Sequence, residues 1–307
     1  MTYAHQEKAH LACIVLAHSD PTQVRRLVTA LDPFPVFLHV DVRTPESQFE
    51  EMTERLPTRC TVLPRIRTGW ARWENVRAEI AGYRRALETT DAGHFALLTG
   101  SDYPLASSAE IINVLDENRG KSIALIQDLP HTEWGQNGGF SRLRYRHWVF
   151  RKRMIRLPLP RTLPRDVVFA GGSQLKILTR SHAEAVVRAV DENPEIVRFW
   201  TRSWVADETF VPSILKTPRF VPDWADEHVE DTAWWIGWDG TRRKSPPWLG
   251  IADREALLSR RTHPGQIRQS LFARKFSTAE STELLDAVDA QAGRRSTTAA
   301  SSSGRRS

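Results

Sequence analysis

The chain lacks the features that mark membrane-spanning, secreted and disulfide-bonded proteins. Its 307 residues contain two cysteines, Cys13 and Cys60, which cannot form a disulfide framework or a zinc site by themselves. No apolar run reaches the roughly 18 residues expected of a transmembrane helix. Residues 1–10 are polar and do not show the charged-then-apolar layout of a secretory signal peptide. We therefore expect a protein of the reducing cytoplasm, with at most peripheral contact with the membrane.

Common phosphate-binding and metal-binding patterns are also missing. Neither G-x-G-x-x-G nor a complete G-x-x-x-x-G-K-[ST] occurs, so the sequence predicts no glycine-rich phosphate loop. There is no D-x-D triplet and no H-E-x-x-H or H-x-x-x-H pair. The sequence therefore predicts neither a metal site nor a bound cofactor.

Positive charge is concentrated in two places. The net charge is +6, but residues 141–165 hold nine basic side chains and no carboxylate, and residues 294–307 hold four arginines and no carboxylate. The rest of the chain carries a net charge of −7. A cationic surface for wrapping nucleic acid is not indicated, and we expect no nucleic-acid partner. A non-catalytic protein that binds anions or nucleic acid through these two segments remains the alternative to an enzyme.

Short apolar runs alternate with helical patterns along the chain, which predicts an α/β fold with a mostly parallel sheet covered on both faces. Sites in such sheets form beyond the carboxyl ends of the strands, where Asp41 and Asp102 lie. The predicted strands are 11–17, 35–40, 60–63, 94–98, 122–126 and 167–170, and the predicted helices are 21–31, 45–56, 72–87, 109–117, 181–191 and 194–202.

We assign residues 1–277 to a single domain. The basic segment 141–165 lies within it, and three prolines between residues 158 and 164 predict a loop at its end. Residues 278–307 are rich in Ser, Thr, Ala and Arg. Apart from a weak helical stretch at 284–288, this tail is predicted to be disordered.

Two motifs carry acidic groups. The strand at 94–98 leads into Gly100-Ser101-Asp102, where Asp102 either contacts a ligand or caps an Asx-type turn. Asp207 and Glu208 precede an apolar run in a Trp-rich stretch. One of them could be a general base in a partly desolvated setting, or the pair could simply favour a helix N-terminus.

A third motif carries basic groups. Lys275 is one of seven lysines among 43 basic residues, and it follows Arg274 between two phenylalanines. These cations could anchor a diphosphate or end an amphipathic helix. Arg243 and Lys244, further upstream, could belong to a solvated loop.

Seven of the 11 tryptophans lie between residues 200 and 248. Large aromatic side chains mostly fill cores, but one or two of these, such as Trp238, could stack on a sugar.

Seven segments in this order resemble the core-2/I-branching β-1,6-N-acetylglucosaminyltransferase family, which includes protein xylosyltransferases. They span nearly all of the predicted domain. The segments are Ile14–His18, Phe37–Asp41, Trp70–Trp73, Ala96–Leu105, Ala170–Leu175, Ala206–Phe210 and Leu271–Phe276.

The resemblance implies a GT-A type fold and inverting, metal-independent transfer from a UDP-sugar to a hydroxyl of a glycan or other acceptor. GlcNAc is the first expectation for the sugar and xylose the second. By the same resemblance, Glu208 is the catalytic base and Lys275 binds the diphosphate together with Lys244 or Arg243. The remaining expected contacts are Asp41 and Asp102 with the donor, and Arg142, Asp207 and Trp238 with the acceptor.

The chain also departs from the family's well-known members, which are disulfide-bonded Golgi proteins with a membrane anchor. It resembles a short bacterial relative. Residues 141–165 fall where acceptor binding differs among members, so the identity of the acceptor does not carry over. The basic charge there predicts an anionic acceptor.

Overall fold

The computed structural model describes residues 10–150, 153–238, 240, 245–259 and 267–294. In this part of the chain the strands are β1 (Leu11–Ala17), β2 (Val36–Val40), β3 (Cys60–Val62), β4 (His94–Thr99), β5 (Asp102–Pro104), β6 (Ser122–Ile123), β7 (Ile126–Asp128), β8 (Tyr145–Phe150), β9 (Arg153–Pro160), β10 (Ala170–Gly172), β11 (Lys176–Thr179), β12 (His228–Val229), β13 (Trp234–Ile236) and β14 (Phe272–Arg274).

The α-helices of the same residues connect and cover these strands. They are α1 (Pro21–Ala30), α2 (Glu46–Thr53), α3 (Trp73–Thr89), α4 (Ser108–Glu117), α5 (Ser141–Arg144), α6 (Arg180–Glu192), α7 (Pro194–Trp200), α8 (Phe210–Lys216), α9 (Arg254–Leu258) and α10 (Thr278–Gln291).

The main sheet has the strand order β12-β6-β11-β4-β1-β2-β3. Four of its six neighbouring pairs are parallel, and β11 runs antiparallel to both of its neighbours. The predicted α/β fold with a mostly parallel sheet is therefore confirmed. The antiparallel β11 was not predicted.

Helices cover both faces of the sheet, and alternate residues of the interior strand β1 point to opposite faces. Cys13 and Val15 join the core beneath α1, α4 and α10, whereas Ala12 and Ile14 join the core beneath α3, α6 and α8. This burial on both faces explains why β1 reads as an uninterrupted apolar run.

Three short sheets accompany the main one, and the third is the hairpin of β8 and β9. In the first, β14 pairs with β13 and β5, which sets Arg274 opposite Asp102. In the second, β10 pairs with β7. A Cβ atom at Gly172 of β10 would lie 2.1 Å from the carbonyl oxygen of Leu125, so only glycine allows this approach.

Three sequence predictions are corrected here. The strand predicted at 122–126 is divided into β6 and β7, and the strand predicted at 167–170 begins only at its last residue and continues to Gly172. The loop predicted at the end of the basic segment holds only for residues 161–165, because Pro158 and Pro160 belong to the strand β9, which pairs with β8 in an antiparallel hairpin.

The predicted boundary at residue 277 is also wrong, because α10 packs on the domain. Leu284, Leu285 and Val288 are buried in the core, and Asp289 accepts hydrogen bonds from Arg26 and Tyr103. Residues 295–307 of the predicted tail lie outside the described residues. Among the helices that the structure describes, none is long and apolar enough to cross a membrane.

Candidate active site

A cleft of about 470 Å³ lies at the carboxyl ends of β1, β2 and β4. Those ends meet on one edge of the sheet, as expected for a doubly covered parallel sheet. The cleft brings together residues from four regions of the chain: Leu16–Ser19 and His39, Asp41 and Arg43; Thr68–Trp70, Asn75 and Thr99–Ser101; Ser173–Leu175, Val205, Asp207 and Glu208; and Ile236, Trp238, Ser245, Pro246, Arg274 and Lys275.

Glu208 stands on one wall of this cleft, at the end of a single 3₁₀ turn formed by Ala206–Glu208. The turn is preceded by Val205, whose φ of 54° places a β-branched residue in the left-handed region. The Val205 amide donates to the carbonyl of Ala71, which itself has a φ of 61°. Two strained residues in contact at one wall are typical of a functional site held in place by its surroundings.

The environment of Glu208 raises the pKa of its carboxyl to about 7. Burial is the main cause, and the neighbouring Asp207 adds to it, while the Arg142 guanidinium opposes both. Arg142 Nη1 lies 3.2 Å from Glu208 Oε2 and is held between the rings of Trp134 and Trp204. A carboxyl that changes charge near neutral pH is suited to accept a proton in a reaction.

Asp207 is almost fully buried beneath Glu208. Its Oδ2 accepts a hydrogen bond of 3.0 Å from Asn75 Nδ2, and burial raises its pKa. Below it, Lys176 of β11 and Glu79 of α3 form an ion pair of 2.8 Å with no exposed side-chain surface. The structure thus places Asp207 in the floor of the cleft, where its negative charge acts on Glu208.

The opposite wall carries Lys275, directly after β14. Its Nζ lies 4.1 Å from the centre of the Trp248 ring and 3.4 Å from Ser245 Oγ. Burial, together with the adjacent Arg274, lowers the pKa of Lys275. This ammonium group therefore faces the cleft without a carboxylate as its hydrogen-bond partner, in the part of the chain that the structure describes.

Asp102 does not face the cleft. Its side chain is fully buried and accepts hydrogen bonds from the amide and hydroxyl of Thr99. Asp102 thus caps the backbone, but three residues back along the chain and not two residues forward as in the Asx-type turn that the sequence suggested. Arg274 Nε lies 3.6 Å from its Oδ1. Because Asp102 is buried, it cannot make the expected contact with the donor. Its carboxylate instead positions Arg274 in the cleft wall.

Asp41 lies at the floor of the cleft after β2. Burial would raise the pKa of its carboxyl, but hydrogen bonds from Arg43 and Thr68 outweigh this and hold the pKa below its usual range. Arg43 donates from its amide and from both Nε and Nη2. The ionised Asp41 therefore orders a cationic side chain that itself lines the cleft.

The structure adds two residues that sequence reasoning did not assign to the site. Arg43 follows Asp41 by two residues, and His18 follows β1. Burial lowers the pKa of His18, which also feels the charges of Asp41, Lys275 and Arg43. The position of both residues after parallel strands was the signal that could have identified them.

Of the remaining expected contacts, Trp238 lines the cleft and is 57% exposed, as a stacking platform requires. Arg142 meets Glu208 from outside the cleft lining. Arg243 and Lys244 lie outside the described residues, between Gly240 and Ser245. No group of three or more His, Cys, Asp or Glu side chains that could hold a metal ion occurs within the described ranges.

The family model for the Core-2/I-branching enzyme matches residues 14–267. The chain belongs to the Core-2/I-branching enzyme family. Its curated relatives include xylosyltransferase 2 of Rattus norvegicus, 25% identical over 291 residues, and xylosyltransferase 2 of Homo sapiens, 24% identical over 277 residues. The matches cover 91% and 87% of this chain but 33% and 32% of those proteins, so the chain spans about a third of the length of these relatives.

A solved structure that resembles this Core-2/I-branching enzyme is HddC from Yersinia pseudotuberculosis. It is 12% identical, has a TM-score of 0.29 and is matched over 56% of this chain and 78% of its own. Membership of the Core-2/I-branching enzyme family, with relatives named xylosyltransferases, supports a glycosyltransferase as the class of protein.

Proposed function

We propose that the chain is an inverting, metal-independent glycosyltransferase of GT-A type that uses a UDP-sugar. The observation that carries this proposal is the pairing, in one cleft, of a carboxyl of raised pKa with an ammonium group free to meet an anion. Inverting transfer needs both: a base for the acceptor hydroxyl and positive charge for the departing diphosphate.

Glu208 is the proposed base. As the acceptor oxygen attacks the anomeric carbon, its proton passes to the Glu208 carboxylate while the bond from the anomeric carbon to the diphosphate breaks. General-base catalysis typically supplies about 10²- to 10⁴-fold in rate. Arg142 supports this role because its guanidinium favours the ionised form of the base.

Lys275 is the proposed diphosphate-binding residue, together with Lys244 or Arg243. Its contact with Trp248 fixes the position of the ammonium group, and Arg274, held by Asp102, adds a second positive charge on the same wall. Charge placed in advance of the reaction stabilises the departing diphosphate without reorganisation.

The proposed donor sugar is GlcNAc, with xylose as the second candidate because the matched relatives are named xylosyltransferases. The acceptor is proposed to be a glycan or another molecule with a free hydroxyl. Trp238 provides an exposed ring on which a sugar could stack, in the same cleft as the base.

A thermal-shift panel tests the donor. We expect UDP and one UDP-sugar among UDP-GlcNAc, UDP-xylose, UDP-glucose and UDP-galactose to raise the melting temperature, because a ligand that binds the folded state stabilises it. Transfer measured with the stabilising sugar should survive EDTA. Loss of activity in EDTA that manganese restores would contradict the metal-independent reaction.

The alternative, an anion-binding or nucleic-acid-binding protein without catalysis, makes the opposite prediction. It requires salt-dependent binding to RNA and no change in melting temperature with any of the uridine nucleotides. Family membership favours the transferase.

A further inference from the structure

The β8–β9 hairpin lies in the basic segment expected near the acceptor, and it exposes an apolar surface that neither the proposed base nor the proposed diphosphate site uses. Every residue from Met154 to Pro160 is exposed. Four of these seven are large and apolar: Met154 is 38% exposed, Ile155 50%, Leu157 36% and Leu159 66%. Ile155, Leu157 and Leu159 alternate along the strand and therefore share one face, and exposed apolar side chains grouped in this way mark an interaction surface.

Unpaired positive charge lies beside this apolar strand. An open cavity of about 780 Å³ separates the hairpin from α7, and Leu157 and Leu159 line it together with Arg146, Arg198 and Arg202. Its lining includes one carboxylate, Glu195. Among the described residues, none of the ion pairs involves those three arginines. The surface therefore offers guanidinium groups next to aliphatic side chains.

This combination selects among possible partners. A second copy of the chain, docked by the same surface about a twofold axis, would bring the arginines of one copy against those of the other. Nucleic acid binds by stacking its bases on exposed rings, and this surface offers few of them. The four exposed apolar side chains are aliphatic, and the ring of Trp148 already has the Arg202 guanidinium 5.5 Å from its centre. The chain between residues 141 and 165 contains no carboxylate that would repel a negative surface.

An anionic lipid bilayer fits both properties at once. Aliphatic side chains enter the boundary between headgroups and acyl chains, while arginines keep their charged ends at the level of the lipid phosphates. Anionic lipids also attract each basic side chain near the surface. The side-by-side arrangement of leucines and arginines in the cavity matches the boundary between acyl chain and phosphate in a single lipid.

We propose that the β8–β9 hairpin docks the protein on the surface of an anionic membrane. Docking would place the cleft near that surface, because a row of rings joins the two. The ring of His147 in β8 lies 6.1 Å from that of Trp204, and Trp204 lies 6.2 Å from Trp70, which lines the cleft. Docking of this kind determines where the protein works and requires neither the proposed donor nor the proposed role of Glu208.

Sedimentation of the full-length chain with vesicles tests the apolar part. The wild type should bind vesicles that contain phosphatidylglycerol in phosphatidylcholine and should not bind vesicles of phosphatidylcholine alone. The double variant Leu157→Ser, Leu159→Ser should lose binding by at least about tenfold, because both side chains must enter the interface. The matched control, Val62→Ser with Ile251→Ser, changes two aliphatic residues elsewhere that are 37% and 44% exposed, and it should bind as the wild type does.

A second pair of variants tests the charge. Arg146→Gln with Arg198→Gln should weaken binding and flatten its dependence on salt, whereas Arg55→Gln with Arg119→Gln, at exposed arginines away from the hairpin, should not. The thermal shift with UDP should be the same in all of these variants, which separates failure of docking from failure of the donor site. No binding to anionic vesicles, equal binding to both kinds of vesicle, or a dimer or RNA complex that the leucine variant abolishes would each overturn the proposal.

Discussion

Glu208 combines two opposing electrostatic influences, so its pKa can be moved in either direction by a neighbour. We expect kcat/KM to rise with pH through a midpoint near 7, because the base must be deprotonated. Asp207→Asn removes a negative charge and should shift this midpoint to lower pH, whereas Arg142→Gln removes a positive charge and should shift it to higher pH. Equal midpoints in the three proteins would contradict Glu208 as the titrating base.

The same carboxyl should be unfavourable for stability once it is ionised. Its pKa in the folded protein lies above the ordinary value, so its contribution to stability is present at acid pH and is lost as pH rises through about 7. Glu208→Gln should therefore melt at a higher temperature than the wild type at pH 8, with a smaller difference at pH 4. This variant should keep UDP binding and lose at least about 10²-fold in transfer.

Lys275 should act on the diphosphate rather than on the nucleoside. Lys275→Met keeps much of the packing on Trp248 but removes the charge, and we expect a loss of roughly tenfold or more in affinity for UDP. Lys121→Met, at an exposed lysine before β6, is the matched control. Calorimetry with uridine completes the test, because equal losses for uridine and UDP would mean that Lys275 supports the pocket and not the phosphate.

The sequence identified individual acidic and basic residues as candidates for the site, but it could not predict the direction in which their side chains point. Glu208 and Asp102 both carry a carboxylate and both come after predicted elements in the chain. Glu208 nevertheless faces the cleft, whereas Asp102 is fully buried. The difference arises from the short sheet of β5 and β14, which aligns Arg274 with Asp102. Such pairing between strands about 170 residues apart leaves no local pattern in the chain.

At the scale of elements, the buried ion pair between α3 and β11 joins a helix to the strand beside it beneath the site. Lys176→Met should destabilise the fold by roughly 3–5 kcal/mol, because Glu79 would keep a buried charge without a partner. Adding Glu79→Gln should recover part of this loss, as measured by chemical denaturation. A double variant as unstable as the sum of both single variants would show that the two charges do not act together.

The elements that sequence predicted best are those with continuous local patterns. The strand predicted at 11–17 coincides with β1, and the helix predicted at 72–87 differs from α3 by one residue at its start and two at its end. The β8–β9 hairpin escaped prediction because its prolines suggested a loop. Pro160 is the last residue of β9. Pro158 lies within β9, whose outer edge has no partner strand in the described sheet, so a proline that lacks an amide proton there loses no hydrogen bond between strands.

At the scale of the whole molecule, the last helix closes the fold. A chain ending at residue 277 should be unfolded at ordinary temperatures, because it loses the buried side chains of Leu284, Leu285 and Val288. Burial of each of these side chains stabilises the fold by about 1.5–3 kcal/mol. Their sum is comparable to the whole stability of a typical domain, about 5–15 kcal/mol.

The matched control ends after Arg294, which keeps the hydrogen bonds of Arg294 to Asp289 and to the carbonyls of Pro104 and Ala106. It should melt within a few degrees of the full-length chain by calorimetry. If the chain ending at 277 folded equally well, α10 would be an accessory to the domain instead of part of it.

Asp20 caps two helices that are far apart in the chain. Its side chain accepts from the Gln23 amide at the start of α1 and from the amide and hydroxyl of Thr278 at the start of α10. His18 and Lys275, on either side of these contacts, line the same cleft. During synthesis, the wall of the cleft beside His18 must therefore wait for Thr278 to leave the ribosome before it takes its final shape.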